Sequence, residues 1–455
     1  MLSPKISERV AQLGAIIPPS PQPFGPALGM AAALAVYLLA PLPLAVAGAL
    51  AFAGLAVFRP RLGLAAVMAT LPTYYFPRDL GGVAFSLPET TLLLTAAAAL
   101  TRALWKRDLQ PRPTSFDRSI ALLLAAALLS LLPTEYFKLS LRALRTLLLE
   151  PLLFYYLVVT LCPSWLALRP LVGALLAASG AVALLALAQV ALNFHTVEVE
   201  GVRRALGLYP SPNHLGLYLG RAFPFAVALA LSVPSRRRLF GGAALLLSAA
   251  IIATFSLGTW VGTAGALLTL AWLHGRRALV RVALGLGALG ALSTAGFVLL
   301  GVERVTSGAT ATFRRLIWTA ALAMVRDHPL TGIGLDNFLY RYQLEYMPPE
   351  AWQEPNISHP HNWILQFWLE LGLLGLLAIG AILGRFFWLA VQQWRSSRVA
   401  EHRALVAGAL ASMVGLLLHG LLDNSYFLVD LAYLFWWQCA LVEIGRHIEA
   451  AAPAP

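Results

Sequence analysis

His361-Asn362-Trp363-Ile364-Leu365-Gln366-Phe367-Trp368-Leu369-Glu370-Leu371-Gly372-Leu373-Leu374-Gly375-Leu376-Leu377-Ala378-Ile379-Gly380-Ala381-Ile382-Leu383-Gly384 is apolar almost throughout once its first two residues are passed. A membrane span needs roughly 17 to 25 such residues, and helix is the open-chain solution because lipid satisfies no free backbone group. The run therefore predicts a transmembrane helix. Comparable runs begin near residues 27, 43, 62, 86, 117, 141, 170, 213, 239, 257, 280, 403 and 426. Together they predict an all-α, polytopic bundle of about 12 to 14 helices, the lower figure applying if some short early runs pair as re-entrant segments.

Composition agrees. The 455-residue chain is 59% hydrophobic and 12% charged, with a mean hydropathy of +0.73. A soluble chain carries about a quarter charged residues, so this apolar excess faces lipid or other helices. Cys162 and Cys439 stand singly, without C-x-x-C spacing, and imply neither a disulfide framework nor a zinc site. No removable signal peptide is read ahead of Ala27.

The net charge of +12 raises nucleic acid as a partner, but the basic residues fall in short clusters between apolar runs, as membrane topology requires. With the N-terminus cytoplasmic, inner loops hold Arg59 and Arg61, the Arg102 to Arg118 cluster, Arg236 to Arg238, Arg276 to Arg281, and Arg385 to Arg403. That parity divides the chain into N-terminal transmembrane helices (1–300), a large outer loop (301–360) and C-terminal transmembrane helices (361–455). Arg142, Arg145, Arg203, Arg204, Arg221, Arg314, Arg315, Arg326 and Arg341 are basic residues left on the outer side. Arginine suits bidentate phosphate recognition. A general preference for arginine also fits, since only Lys5, Lys106 and Lys138 are lysines, but it does not explain the outer placement.

Within the outer loop, Thr312 to Val325 reads as an amphipathic helix, followed by Asp327-His328-Pro329-Leu330 and the turn Gly332-Ile333-Gly334-Leu335-Asp336-Asn337-Phe338. Tyr340, Tyr342, Tyr346, Trp352, Glu345, Glu350 and Glu354 then form a surface suited to stacking on sugar rings, or to anchoring at the membrane interface. His361 and Asn362 open the long helix, with Ser358 available as its cap and Pro360 near its first turn. A helix N-terminus disfavours an imidazolium, so His361 there stays neutral near pH 7 and suits a general base; alternatively it only hydrogen-bonds its own loop. His359 and His361 have no third metal ligand that the sequence identifies, and no metal is expected.

Arg203-Arg204-Ala205-Leu206-Gly207-Leu208-Tyr209-Pro210-Ser211-Pro212-Asn213-His214 again sets arginine beside a turn and a helix start. Arg142 and Arg145 share a helix with Glu150, either as a structural pair with that carboxylate or as ligand contacts. The chain has no G-x-x-x-x-G-K, D-x-D, H-E-x-x-H or G-x-S-x-G. P-loop, D-x-D metal-dependent transferase, zincin and elbow-type hydrolase chemistries therefore lose support.

Arg204 to Asn213, Arg314 four before Trp318, Asp327-His328-Pro329-Leu330-Thr331-Gly332-Ile333-Gly334, His361-Asn362 and Glu370-Leu371-Gly372-Leu373-Leu374-Gly375 together resemble the O-antigen ligase and polymerase family of bacterial membrane glycosyltransferases. The resemblance covers about half the chain and rests on the order of the pieces. It implies a fold of the membrane glycosyltransferase C type in the bacterial inner membrane, with the active site on the outer face. It also implies a glycan donor on undecaprenyl diphosphate, a glycan, lipid or protein acceptor, and inverting transfer without metal or cofactor. By the same resemblance His361 is the base and Arg204 and Arg314 hold the diphosphate with Arg315 beside them; Asn213, Asn362, Arg142, Arg145 and His359 are further candidates for the substrate site. Where the family often reads Thr-x-Ser-Arg-Gly, this chain has Thr254-Phe255-Ser256-Leu257-Gly258, so Leu257 stands for an arginine.

Two other readings fit part of the pattern. A Wzy-type polymerase keeps the donor and joins one lipid-linked repeat to another. A transporter or flippase for lipid-linked sugars fits the helix number, but its site belongs near the bilayer midplane, whereas these polar residues gather at one face.

Overall fold

A computed structural model describes residues 24–79, 82, 84–107, 112–199, 201–299, 309–352 and 355–450. Residues 1–23 of the segment ahead of Ala27, residues 300–308 and Glu354 lie outside them. The protein is all-α, 79% helical, and a multi-pass membrane protein.

Each apolar run is a helix. The first half holds α1 (Phe24–Leu39), α2 (Leu42–Phe58), α3 (Pro60–Thr70), α4 (Leu87–Lys106), α5 (Asp117–Leu129), α6 (Phe137–Leu161) and α7 (Trp165–Leu192). The second holds α8 (Pro212–Ser232), α9 (Arg237–Ala253), α10 (Leu257–Leu273), α11 (Arg276–Leu299), α12 (Ala309–Asp327), α13 (Trp363–Ser396), α14 (Ala400–Gly420) and α15 (Val429–Ala450). By length and composition six of the described helices suffice to cross a membrane: α6, α7, α8, α11, α13 and α14. The runs near 62 and 117 give helices of 11 and 13 residues, too short at 1.5 Å per residue for a hydrocarbon core of about 30 Å.

Two small hairpins interrupt the helices. One pairs β1 (Arg78–Asp79) with β2 (Ala84–Phe85); the other pairs β3 (Val197–Val199) with β4 (Val202–Arg204), setting Glu198 opposite Arg203. The second hairpin delivers the chain to α8.

At the centre α14 packs against α8 and α10. Small residues set the spacing: a Cβ at Gly262 would lie 2.7 Å from the Gly415 carbonyl oxygen, and one at Gly415 would lie 2.9 Å from that of Gly262. Backbones meet there directly, as expected where van der Waals contact rather than water exclusion joins helices.

Helix α12 spans the expected amphipathic segment and extends it at both ends. Ile317, Ala320, Ala321, Met324 and Val325 repeat every three to four residues and bury a stripe against Ile333, Phe338, Tyr342 and Leu369. The segment from α12 to Ala351 thus has its own small core, seated on the start of α13.

Helix α13 is broken at Gly372, whose φ of 67° lies in the left-handed region. The loop Pro329 to Ile333 fills the break. Ile333 N–H donates to Leu369 O at 2.8 Å, Leu373 N–H to Pro329 O at 3.0 Å, and Trp368 Nε1–H to Pro329 O at 3.0 Å. A Cβ at Gly372 would lie 1.9 Å from Leu330 O, and one at Gly332 (φ 70°) 2.5 Å from Leu369 O. Both positions therefore need glycine for conformation and for space.

Candidate active site

The segment Ser358 to Asn362 stands just ahead of α13, which begins at Trp363 rather than at His361. Ser358 is not the cap: its hydroxyl pairs with His359 Nδ1 at 2.9 Å. Asn362 is the N-cap instead, its Oδ1 accepting from Ile364 N–H and Leu365 N–H at 3.0 and 3.2 Å, because an Asx side chain one residue before the helix reaches those donors and Ser358 does not. From the loop side Trp318 Nε1–H donates to Pro360 O at 2.9 Å. Held from both directions, His361 adopts φ 51°, a conformation that costs a non-glycine residue on the order of 1 kcal/mol and persists only where surroundings enforce it.

Asp423 faces the two histidines from the turn between α14 and α15. Its Oδ1 lies 3.1 Å from His359 Nε2 and 3.1 Å from His361 Nδ1, and it also accepts Asn424 N–H at 2.8 Å. These donors hold its carboxyl well below the usual carboxylate range against the opposing effect of burial. A carboxylate only accepts, so the protons sit on His359 Nε2 and His361 Nδ1. His361 Nε2 then carries a lone pair, and its ring is partly open at 23% exposure. Burial, followed by the neighbouring His361, pushes the His359 imidazole below its ordinary value. The turn itself is rigid: Asn424 Oδ1 accepts Phe427 N–H at 2.9 Å, and buried Arg221 Nη2–H donates to Ser425 O at 2.9 Å.

These groups line a cavity of about 320 Å³ with Tyr75, Asn213, His214, Asp336, Gln366 and Glu370. His214, in the first turn of α8, has Nε2 3.1 Å from Asp430 Oδ1 and Nδ1 2.9 Å from the Tyr75 hydroxyl, while Tyr209 donates to Asp430 Oδ2 at 3.1 Å. Burial pushes the Tyr75 phenol up to about 12. Asp336 (φ 60°) is held by its neighbour Asn337, whose Nδ2 donates to Ser140 Oγ and Leu335 O and whose Oδ1 accepts from Thr134 Oγ1 and Tyr136 N–H. Burial raises the Asp336 carboxyl, opposed by the charge of Arg142. Leu147 reaches the same cavity from a π-helical turn, Leu144–Leu149, in α6.

Of the residues expected from sequence, His359, His361 and Asn213 meet in this cavity; Asn362 follows His361 as the α13 cap, and the charge of Arg142 acts on Asp336. The others are placed differently. Arg204 is buried, with Nε–H donating to Thr254 O at 2.7 Å and Nη2–H to Asn213 Oδ1 at 2.9 Å. Arg314 lies on the α12 face that carries Trp318, near enough for its charge to act on His419. Arg315 is exposed and reaches Thr312 Oγ1 at 3.3 Å. Arg145 pairs with Glu89 and lies 3.7 Å from Glu150. Leu257 opens α10 with 58% of its surface exposed, and Ser256 caps that helix by accepting Thr259 N–H.

Asp423, Asp430, Tyr75 and Glu370 have no assigned role in the sequence. The signal for Asp423 is the polar trio Asp423-Asn424-Ser425 between the last two apolar runs. A metal, were one bound, would find His359, His361 and Asp423, whose ligand atoms lie within 4.8 Å of one another.

Comparison with known proteins finds similar sequences. The O-antigen ligase family model matches residues 242–380, from within α9 through His359 and His361 to the middle of α13. The O-antigen ligase of Pseudomonas aeruginosa is 30% identical over 223 residues, 46% of this chain and 50% of that protein. The exopolysaccharide production protein ExoQ of Rhizobium meliloti is 25% identical over 211 residues, 42% of this chain and 48% of that one. The chain spans about half the length of the curated relatives it matches. The chain is thus similar to O-antigen ligases over residues 242–380 and, at 30% identity, over about half its length.

Proposed function

We propose that the protein is a membrane glycosyltransferase that moves a glycan from undecaprenyl diphosphate to an acceptor hydroxyl at the outer face of the bacterial inner membrane. The observation that carries this reading is His361, whose Nδ1 lies 3.1 Å from Asp423 Oδ1 and which lines a polar cavity. His361 Nε2 removes the proton of the acceptor hydroxyl as its oxygen attacks the anomeric carbon, and the bond to the diphosphate oxygen breaks. Asp423 fixes the tautomer and stabilises the imidazolium that forms, the role a carboxylate plays in other His-Asp pairs. Attack opposite the leaving group inverts the anomeric centre.

Arg314 and Arg315 supply positive charge for the departing diphosphate from α12. Arg204 fixes Asn213 and acts as a positioning residue for the diphosphate side of the cavity. Arg142, beside Asp336, meets the sugar side, and Glu370 and Asp336 accept from sugar hydroxyls. No step calls for a metal or an organic cofactor. The acceptor is a glycan, lipid or protein; a Wzy-type polymerase would use a second lipid-linked repeat in the same place.

The test is incubation of purified protein in detergent or nanodiscs with an undecaprenyl-diphosphate oligosaccharide, with and without candidate acceptors and with chelator present. Transfer that releases undecaprenyl diphosphate supports the reading; movement of intact donor across a vesicle membrane without its consumption overturns it in favour of a flippase.

A further inference from the structure

The convergence of His359, His361 and Asp423 has a second chemical meaning. His359 Nε2 and His361 Nδ1 each lie 3.1 Å from the same Asp423 oxygen. Ligand atoms about 2.1 Å from a zinc ion are separated by about 3.4 Å in a tetrahedral set, so two of the three edges need little adjustment. The His359 to His361 edge, within 4.8 Å, is the one that must close. Two imidazoles and one carboxylate favour a late first-row divalent ion such as Zn²⁺ over Mg²⁺ or Ca²⁺, which select all-oxygen sets.

Second contacts are suitable for the exchange. With a proton on His359 Nε2, the Ser358 hydroxyl donates to Nδ1; with the proton moved to Nδ1, the same hydroxyl accepts it at the same 2.9 Å. Ser358 therefore supports both the hydrogen-bonded and the metal-ligating tautomer of His359. Asp423 stays anchored in either state by the Asn424 N–H.

We propose that His359, His361 and Asp423 form an inhibitory site for Zn²⁺ and similar late transition-metal ions, in which metal binding and general-base action exclude each other. Ligation through His361 Nδ1 displaces its proton, and a neutral imidazole ligated there carries its proton on Nε2. The lone pair that would accept the acceptor hydroxyl proton is then occupied. The ion also takes the Asp423 oxygen that stabilises the imidazolium. The inhibitory half of this inference rests on His361 being the base; the binding half does not.

Both halves are measured on untagged, full-length protein in nanodiscs. Titration with Zn²⁺, and with Co²⁺ followed by its visible absorption, should give one high-affinity site per chain that EDTA empties. H359Q and H361Q should each weaken Zn²⁺ binding at least 10-fold, and retention of the elution profile and melting transition shows that they fold. Absence of a stoichiometric site in the native protein, or affinity unchanged in both folded variants, overturns the site. In the transfer assay saturating Zn²⁺ should lower the rate at least 10-fold and EDTA should restore it. Full activity with the site saturated overturns the exclusion. If native protein transfers no glycan under any condition, the glycosyltransferase reading fails instead, and the titrations still decide the metal site.

Discussion

The histidines of two histidine-aspartate pairs line one cavity, and the pairs are built for different ends. His361 and Asp423 join a loop to a turn; the histidine is 23% exposed, its backbone is in the left-handed region, and only Nδ1 has a protein partner among the described residues. His214 and Asp430 join the first turns of two helices; they are 5% and 0% exposed, and both ring nitrogens are engaged, one by Asp430 and one by Tyr75. The same pair of residue types thus gives an accessible basic nitrogen in one place and a sealed crosslink in the other. Reactivity follows from the unpartnered, reachable atom rather than from the residue names.

Substitutions can break that contrast, and the largest effect is expected at the open pair. His361→Ala should lower transfer by about 10²- to 10⁴-fold, the usual worth of a positioned base, with little change in thermal unfolding. A native rate in purified, folded H361A would remove the base assignment. Asp423→Asn comes next, with a fall on the order of 10²-fold in kcat, since an amide no longer stabilises the imidazolium. A loss confined to KM would make Asp423 a binding group instead.

At the sealed pair the order reverses. His214→Ala should cost on the order of 1 to 3 kcal/mol of stability, read as a lower melting temperature, because Asp430 and Tyr75 lose a buried partner. A variant that melts like the native protein yet loses turnover would make His214 a second reacting group and collapse the distinction. The smallest effect is at Asn362→Ala. Loss of the α13 cap should cost about 1 kcal/mol, and unaltered melting would show that the loop core alone fixes the helix start.

Much of this was legible in the sequence because membrane helices announce themselves by composition. Each apolar run became a helix, and the amphipathic period of Thr312 to Val325 became α12. Ends and partners were less legible. Asn362 displaced Ser358 as the cap because capping depends on which residue stands one step before the first helical turn, and sequence locates that boundary only to within a few residues. Arg204 carried a phosphate-binding expectation, but its hydrogen bonds to Thr254 and Asn213 arise from a hairpin, β3 and β4, too short to leave a strand pattern. Asp423 stands 62 residues from His361 in the chain, and no local period reports such a meeting. Its signal was a polar interruption where lipid would tolerate none without purpose.

The break at Gly372 has a mechanical consequence. Above it, the first turns of α13 are bonded to the Pro329 to Ile333 loop; below it, Ile379, Ile382, Phe386 and Leu389 are buried against the rest of the bundle. The cap at Asn362, and with it the position of His361, is thereby tied to two neighbours at once, the loop above the break and the bundle below it.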